Sequence, residues 1–173
     1  MSATAPTRPY GDDYLRTYSA EHLWYEFDMF LGLTALLGSS RQLVAPSGEG
    51  ARRLNNGLIE SFVIHFRNVV DFLYLDRPRS TDVVASDFCA SGAWQPAPSA
   101  TLKAAGVRAD KEIAHLTTSR ISGRSPGKGW EFTALADELR PVMLQFVTTA
   151  IPSRLSANVA ERVRQQGPGD EVM

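Results

Sequence analysis

The sequence predicts an all-α protein, an up-and-down bundle of four to five helices. Three observations favour this class. Residues 19–40 and 51–75 repeat apolar side chains at steps of three and four, as one face of a helix requires. Gly38 and Pro78 stand where these two segments are expected to end. No segment alternates apolar and polar residues between hairpin turns, as strands would.

The first helix is predicted in the segment SAEHLWYEFDMFLGLTALLGSS, residues 19–40. Ser19 is the expected N-cap, and Gly38 is the expected stop. Its predicted core face consists of Leu23, Phe27, Phe30, Thr34 and Leu37.

The second helix, residues 51–75, has the clearest pattern in the chain. Its predicted core stripe is Ile59, Phe62, Phe66, Val69 and Leu73. Four more apolar residues widen that stripe until little polar surface is left: Val63, Ile64, Val70 and Phe72. A helix that is apolar on most faces is usually central, so other helices are expected to surround it.

After the second helix, residues 76–98 are expected to be irregular, apart from a short helix capped by Ser80 or Thr81. Three further helical segments are predicted, at residues 99–121, 130–151 and 153–166. Pro141 should bend the second of these, because proline has no backbone N–H to donate.

The length of 173 residues, 19.0 kDa, suits one well-packed domain, predicted at residues 10–165. Small and polar residues predict a flexible N-terminal arm at 1–9 and a flexible tail at 166–173. The apolar segment 30–38 is too short to cross a bilayer, and the first residues do not resemble a signal peptide, so no membrane partner is expected. Cys89 is the only cysteine, which favours a reducing, cytoplasmic location.

The formal net charge of −1 provides no global attraction to nucleic acid, so any RNA or phosphate site must be a local basic patch. On the second helix, Arg67 and Asp71 stand at the spacing of an ion pair, with Glu60 on the same flank and His65 on the next. Because this helix is apolar on most faces, the charges are expected to lie between helices and to be paired.

The third predicted helix carries Arg108, Glu112 and His115 on one flank. Arg108 and His115 are two turns apart, about 10 Å along the axis, so both side chains can reach one phosphate. Histidine can move a proton near neutral pH and arginine can hold the phosphate, a combination that suits phosphodiester cleavage without metal or cofactor. The spacing alone favours a solvated helix face over such a site, because charged flanks are common.

A metal site is a further alternative. The sequence EIAH, residues 112–115, has the Glu-x-x-His form that di-metal helical bundles use twice, but there is no second copy. The pairs His22 with Glu26 and Glu60 with His65 lack the matching spacing.

The loop at 123–129 lacks the glycine and the hydroxyl residue of a phosphate-binding loop. Cys89 is expected to be a small buried residue, and the three tryptophans are expected to pack between helices: Trp24, Trp94 and Trp130.

ESFVIHFRNVVDFLY, residues 60–74, followed by RADKEIAHLTTSR, residues 108–120, resembles the HEPN superfamily of small helical bundles, in particular its uncharacterised, abortive-infection-like bacterial branch. The family signature is an arginine followed by four to six residues and a histidine. The resemblance implies a homodimer in which two such helices face each other across a metal-independent ribonuclease site. It also implies a toxin or phage-defence role, with RNA as substrate and a cognate antitoxin as partner.

Carried over to this chain, the resemblance implies that His115 is the acid/base residue and Arg108 the phosphate-binding residue, with Arg67 or Asp71 in support. Many active members instead have an Arg-Asn pair with the histidine four residues beyond the Asn, and the corresponding positions of this chain hold Asp110 and Lys111. Two alternatives therefore stay open: a non-catalytic dimeric interaction module whose buried charges fix its register, and a metal-dependent bundle enzyme.

Overall fold

The computed structural model describes residues 10–39, 48–76, 78–110 and 129–166, and every regular element within these ranges is a helix, which confirms the predicted all-α class. The first helical segment is continuous and consists of α1 (Asp12–Tyr18), a π-helical stretch (Ser19–Leu23) and α2 (Trp24–Gly38). The remaining helices are α3 (Glu49–Tyr74), α4 (Ala85–Phe88), α5 (Ala100–Ala109), α6 (Phe132–Thr149) and α7 (Ala157–Gln165).

The first helical segment ends at Gly38, as predicted, but it begins at Asp12 and not after Ser19. Its first turns carry Asp12 and Asp13, whose charges suit the positive end of the helix dipole. Only Leu15 is buried in α1, so the sequence offers no apolar stripe there to reveal the helix.

Ser19 is not an N-cap, because it lies inside the helical segment and is fully buried. Its hydroxyl donates to the carbonyl of Arg16 at 2.7 Å and accepts the N–H of Ser156 at 2.9 Å. Ser156 is the N-cap residue of α7. The buried serine thus joins the π-helical stretch to the last helix.

Helix α3 is central, as predicted, and packs against α2, α4, α5 and α6. Its core face consists of Phe62, Val63, Phe66, Val69, Phe72 and Leu73, all buried. Ile64, however, is 51% exposed, so the neighbouring helices leave part of the apolar surface of α3 uncovered. The flank that carries Ile64 is the one that also carries the charged residues of this helix.

The core contains an aromatic cluster. The ring of Phe146 in α6 lies edge-on to three others, with centroid distances of 5.1 Å to Phe72, 5.6 Å to Phe88 and 5.7 Å to Trp94. The indole N–H of Trp94 donates to the carbonyl of Leu73 at 2.8 Å, so its polar atom is also satisfied. These contacts join α3, α4 and α6 with the segment that follows α4.

The predicted packing roles of Cys89 and the tryptophans are confirmed. Cys89, Trp94 and Trp130 are buried, and burial raises the pKa of the Cys89 thiol to about 11. Trp24 is partly buried against the core, with the guanidinium of Arg162 at 5.0 Å from its ring.

The helix starts between α3 and α6 differ in part from those predicted. Helix α4 begins at Ala85, after Val84 and not after Ser80 or Thr81. The Asp87 carboxylate accepts the N–H of Val84, the N-cap residue, at 2.9 Å and so stabilises the first turn of α4. Helix α5 begins where expected, since Ser99 accepts the N–H of Leu102 at 3.0 Å.

Helix α6 continues through Pro141 to Thr149. The N-terminal arm at 1–9, residues 167–173 of the predicted tail, and residues 111–128 lie outside the described ranges. Within those ranges, no helix combines the length and hydropathy needed to cross a membrane.

Arg154 connects three parts of the chain. Its Nε lies 2.8 Å from Oδ1 of Asp12, and its Nη1 donates to the carbonyls of Asp87 at 3.0 Å and Cys89 at 3.3 Å. Ser153 donates to the same Asp12 carboxylate at 2.5 Å, and these two donors lower the pKa of Asp12. The start of α1, the end of α4 and the loop before α7 are thereby held together.

Replacing Arg154 with methionine should lower the free energy of unfolding by about 1–3 kcal/mol, because two partly buried carbonyls lose their donor. Denaturant unfolding followed by circular dichroism measures the change. The matched control is Arg16→Met, which removes only an exposed pair with Asp13 and should cost less than about 0.5 kcal/mol. Equal denaturation midpoints for Arg154→Met and the unmodified chain would show that these contacts contribute nothing.

Candidate functional site

Arg108 lies in the last turn of α5 and contacts the segment that precedes α6. Its guanidinium carbon lies 4.3 Å from the ring centroid of Trp130. Its Nη1 donates to the carbonyl of Gly129 at 2.8 Å. Stacking on Trp130 and the hydrogen bond to a main-chain carbonyl fix the orientation of this guanidinium, which belongs to the predicted phosphate-binding arginine.

His115 and Glu112 lie outside the described residues, so their grouping with Arg108 stays a prediction. The backbone of Asp110 keeps helical dihedral angles, φ −58° and ψ −45°, at the end of α5.

Arg67 forms an ion-pair network with two carboxylates. Its Nε lies 3.0 Å from Oδ1 of Asp110 and 3.6 Å from Oδ2 of Asp71. The network joins α3 to the end of α5, so these charges are paired between helices, as expected. The side chains are not buried, however: Arg67 is 44% exposed, and Asp71 and Asp110 are 51% and 52% exposed.

The pKa of Asp71 is raised. Partial burial is the main cause, and the negative charges of Asp110 and Asp82 raise it further. Arg67 opposes these effects but does not cancel them. Asp71 therefore carries its negative charge in an environment that disfavours it.

His65 belongs to a different network. It is buried, and its Nδ1 lies 2.7 Å from Oε2 of Glu26 in α2. Asn68, one turn further along α3, donates to the same oxygen at 3.0 Å. Tyr25 lies edge-on to the imidazole, with ring centroids 5.5 Å apart. Glu60, also predicted to support the site, is exposed on α3.

A cleft of about 730 Å³ runs along the flank of α3 and is called here the polar cleft. Its walls are the π-helical stretch with the start of α2, α3, the segment 79–84 and Asp110. Its charged lining residues are Glu26, Arg67, Asp71, Arg79, Asp82 and Asp110.

The polar cleft contains Arg67 and Asp71 but not Arg108, His65 or Glu60. Successive residues of an α-helix turn by about 100°, so Asp110 points about 200° away from Arg108. The described part of the predicted site therefore divides between two sides of α5.

Sequence reasoning missed two partners, Glu26 of His65 and Asp110 of Arg67. Neither could be found from helical spacing, because each belongs to a distant segment of the chain. The sequence did offer one signal of a polar contact at this position, because Asn68 shares a helix flank with His65. Its side chain donates to the same Glu26 carboxylate.

Within the described ranges, no group of three or more His, Cys, Asp or Glu residues is arranged to hold a metal ion. Comparisons with protein-family models, curated proteins and solved structures found no match to this chain.

Replacing Asp71 with asparagine should raise the melting temperature at pH 7. A raised pKa means that the folded protein binds the Asp71 proton more tightly than the unfolded chain does. The stability that this proton contributes is present in acid and is lost as pH rises through the pKa of the folded state. Asparagine removes the cost of ionisation, so its advantage should shrink below about pH 4.

Thermal unfolding between pH 3.5 and 8 tests this expectation. Because the side chain is half exposed, the gain should be under about 1 kcal/mol. Asp137→Asn is the matched control, since Asp137 pairs with Arg140 outside the cleft and should give no gain at pH 7. A lower melting temperature for Asp71→Asn than for the unmodified chain at pH 7 would contradict the expectation.

Proposed function

We propose that this chain is a HEPN-like RNA-binding protein that cleaves RNA without a metal ion. In this proposal it acts in the cytoplasm as a homodimer of the toxin or phage-defence kind, held inactive by a cognate antitoxin. The observation that carries the proposal is the position of Arg108, whose guanidinium is oriented by Trp130 and Gly129.

An oriented guanidinium suits phosphate binding for a physical reason. Arginine presents several N–H donors in a planar fork and stays charged at all physiological pH values. Stacking on Trp130 restricts the side chain before the ligand arrives, so less conformational entropy is lost on binding. In the proposed mechanism this guanidinium stabilises negative charge on the phosphate as the bond to the leaving oxygen breaks.

The local charge of the sequence around Arg108 supports phosphate binding in this part of the chain. Residues 103–128 contain six basic and two acidic side chains, although the whole chain has a net charge of −1. A local excess of this kind attracts phosphates, and the attraction weakens as salt is added.

His115 completes the proposed site as the acid/base residue, taking the proton of a ribose 2′-hydroxyl and returning one to the leaving oxygen. Arg67 contributes indirectly. Its contact with Asp110 fixes the end of α5, five residues before His115, so Arg67 is a positioning residue and not a phosphate ligand.

Incubation of the purified protein with structured RNAs, including transfer RNA, in EDTA should produce fragments with 2′,3′-cyclic phosphate ends. His115→Ala should reduce the cleavage rate at least about a hundredfold, the usual contribution of a general acid/base, and leave RNA affinity nearly unchanged. Arg108→Lys should weaken binding and slow cleavage, because lysine keeps the charge but loses the fork.

Two controls match these variants. His22→Ala removes an exposed histidine that approaches Glu21 at 4.0 Å and lies at a tilted angle to the ring of Tyr18. Arg140→Lys changes an arginine that pairs with Asp137 on α6. Both should cleave like the unmodified chain. Intact RNA with all substrates, or undiminished cleavage by His115→Ala, would exclude the proposed ribonuclease.

A further inference from the structure

We propose that a row of tyrosines on the first helical segment binds residues 6–9 of a second copy of this chain, the stretch PTRP. The tyrosine row consists of Tyr10, Tyr14 and Tyr18, which follow one another at steps of four residues. This contact differs from the interface that the HEPN resemblance implies, and it does not depend on RNA cleavage.

The rings of the tyrosine row stack along the helix. The centroids of Tyr10 and Tyr14 lie 5.1 Å apart, with ring planes inclined by 11°. Those of Tyr14 and Tyr18 lie 6.2 Å apart, with ring planes inclined by 26°. Because the rings face one another, their edges point sideways, and a shallow groove separates each pair.

The outer side of the tyrosine row is open to solvent. Tyr14 is 51% exposed, while Tyr10 and Tyr18 are partly buried against the core. The Tyr10 hydroxyl donates to the carbonyl of Ser80 at 3.1 Å. Within the described ranges, the hydroxyls of Tyr14 and Tyr18 have no hydrogen-bond partner, and neither is buried. Two donors are therefore available beside exposed aromatic surface.

An extended backbone that contains proline suits such a row for two reasons. Proline rings pack into grooves between aromatic side chains, and the polyproline II conformation is partly formed before binding, so little entropy is lost. The same conformation has no internal hydrogen bonds, so its carbonyls are free to accept from tyrosine hydroxyls.

Residues 6–9 have the composition and length for this role. Pro6 and Pro9 are three residues apart, so in a polyproline II helix they lie on the same side, about 9 Å from each other. Four residues in that conformation span about 12 Å. The eight residues from Tyr10 to Tyr18 rise by the same distance, about 12 Å, along the helix.

The chain direction at the start of α1 favours a second copy as the receiving molecule. Tyr10 and Gly11 form no turn, and Gly11 has extended backbone dihedral angles, φ −74° and ψ 160°. Pro9 directly precedes the first ring of its own row, so PTRP would have to reverse direction to lie along that row. On another copy no reversal is needed, and two copies can exchange equivalent segments about a two-fold axis.

The charges of the two surfaces are complementary. Glu21 lies beside the end of the tyrosine row, because its carboxylate is 4.0 Å from the imidazole of His22, whose ring centroid is 5.1 Å from that of Tyr18. Its side chain is 66% exposed. Arg8 is the one charged side chain of residues 1–9. We therefore expect Arg8 of one copy to approach Glu21 of the other.

Paramagnetic NMR on a mixture of two preparations of the full chain tests the contact. One preparation carries a nitroxide on Thr4→Cys, and the other is unmodified and isotope-enriched in nitrogen. Cys89 stays unlabelled in the first, because it is buried and its thiol has a pKa of about 11. The amide signals of Tyr14 and Tyr18 should lose most of their intensity, and reduction of the nitroxide should restore them.

Variants test both sides of the contact through the concentration dependence of the signal loss. Tyr14→Ser in the receiving copy, or Pro6→Ala together with Pro9→Ala in the other, should weaken association about two- to tenfold, the scale of one aromatic contact. Glu21→Gln should weaken it less than about fivefold, as for one exposed charge pair. Tyr25→Ser is the matched control, since Tyr25 is 53% exposed but lies outside the tyrosine row. Circular dichroism confirms that each variant is folded.

Three results would overturn the proposal. The first is full intensity of the tyrosine-row signals in the mixed sample. The second is a signal loss that Tyr14→Ser and the double proline variant leave as large as Tyr25→Ser does. The third is a signal loss that occurs only when nitroxide and isotope are on the same chain, which would show that the segment binds its own row. The ribonuclease assay is a separate test, because this contact uses neither Arg108 nor His115.

Discussion

The burial of one face of α3 is the constraint on which the rest of the structure depends. Its phenylalanines and valines must be covered, and α2, α4, α5 and α6 pack around them. These neighbours cover that face but not the opposite flank. The polar residues of α3 therefore lie on the flank that stays partly exposed to water. The positions of Arg67 and Asp71 at the rim of a cleft therefore follow from how the hydrophobic core is enclosed.

Helical periodicity was sufficient to predict the long helices, the core stripe of α3 and the stop at Gly38. It failed at α1, because a helix with one buried residue, Leu15, has no repeating stripe. For the site, spacing predicted the pair Arg67 and Asp71 but not the nearer partner Asp110. Contacts between distant segments depend on how helices pack, and this is not encoded in the period of any one helix.

Helix α5 separates two kinds of charge. Asp110 faces the polar cleft, whereas Arg108 faces Trp130. The sequence that follows Asp110 is rich in basic residues. Charges of opposite sign on two sides of one helix create distinct local potentials, since salt screens exposed charges beyond about 8–10 Å.

The buried thiol of Cys89 can report transient opening of the hydrophobic core. It is the sole cysteine, and a pKa of about 11 leaves almost no reactive thiolate at neutral pH. A thiol-specific dye should therefore label the chain only when the aromatic cluster around α4 separates transiently. At dye concentrations where labelling is faster than reclosing, the labelling rate would give the frequency of that opening without any introduced probe.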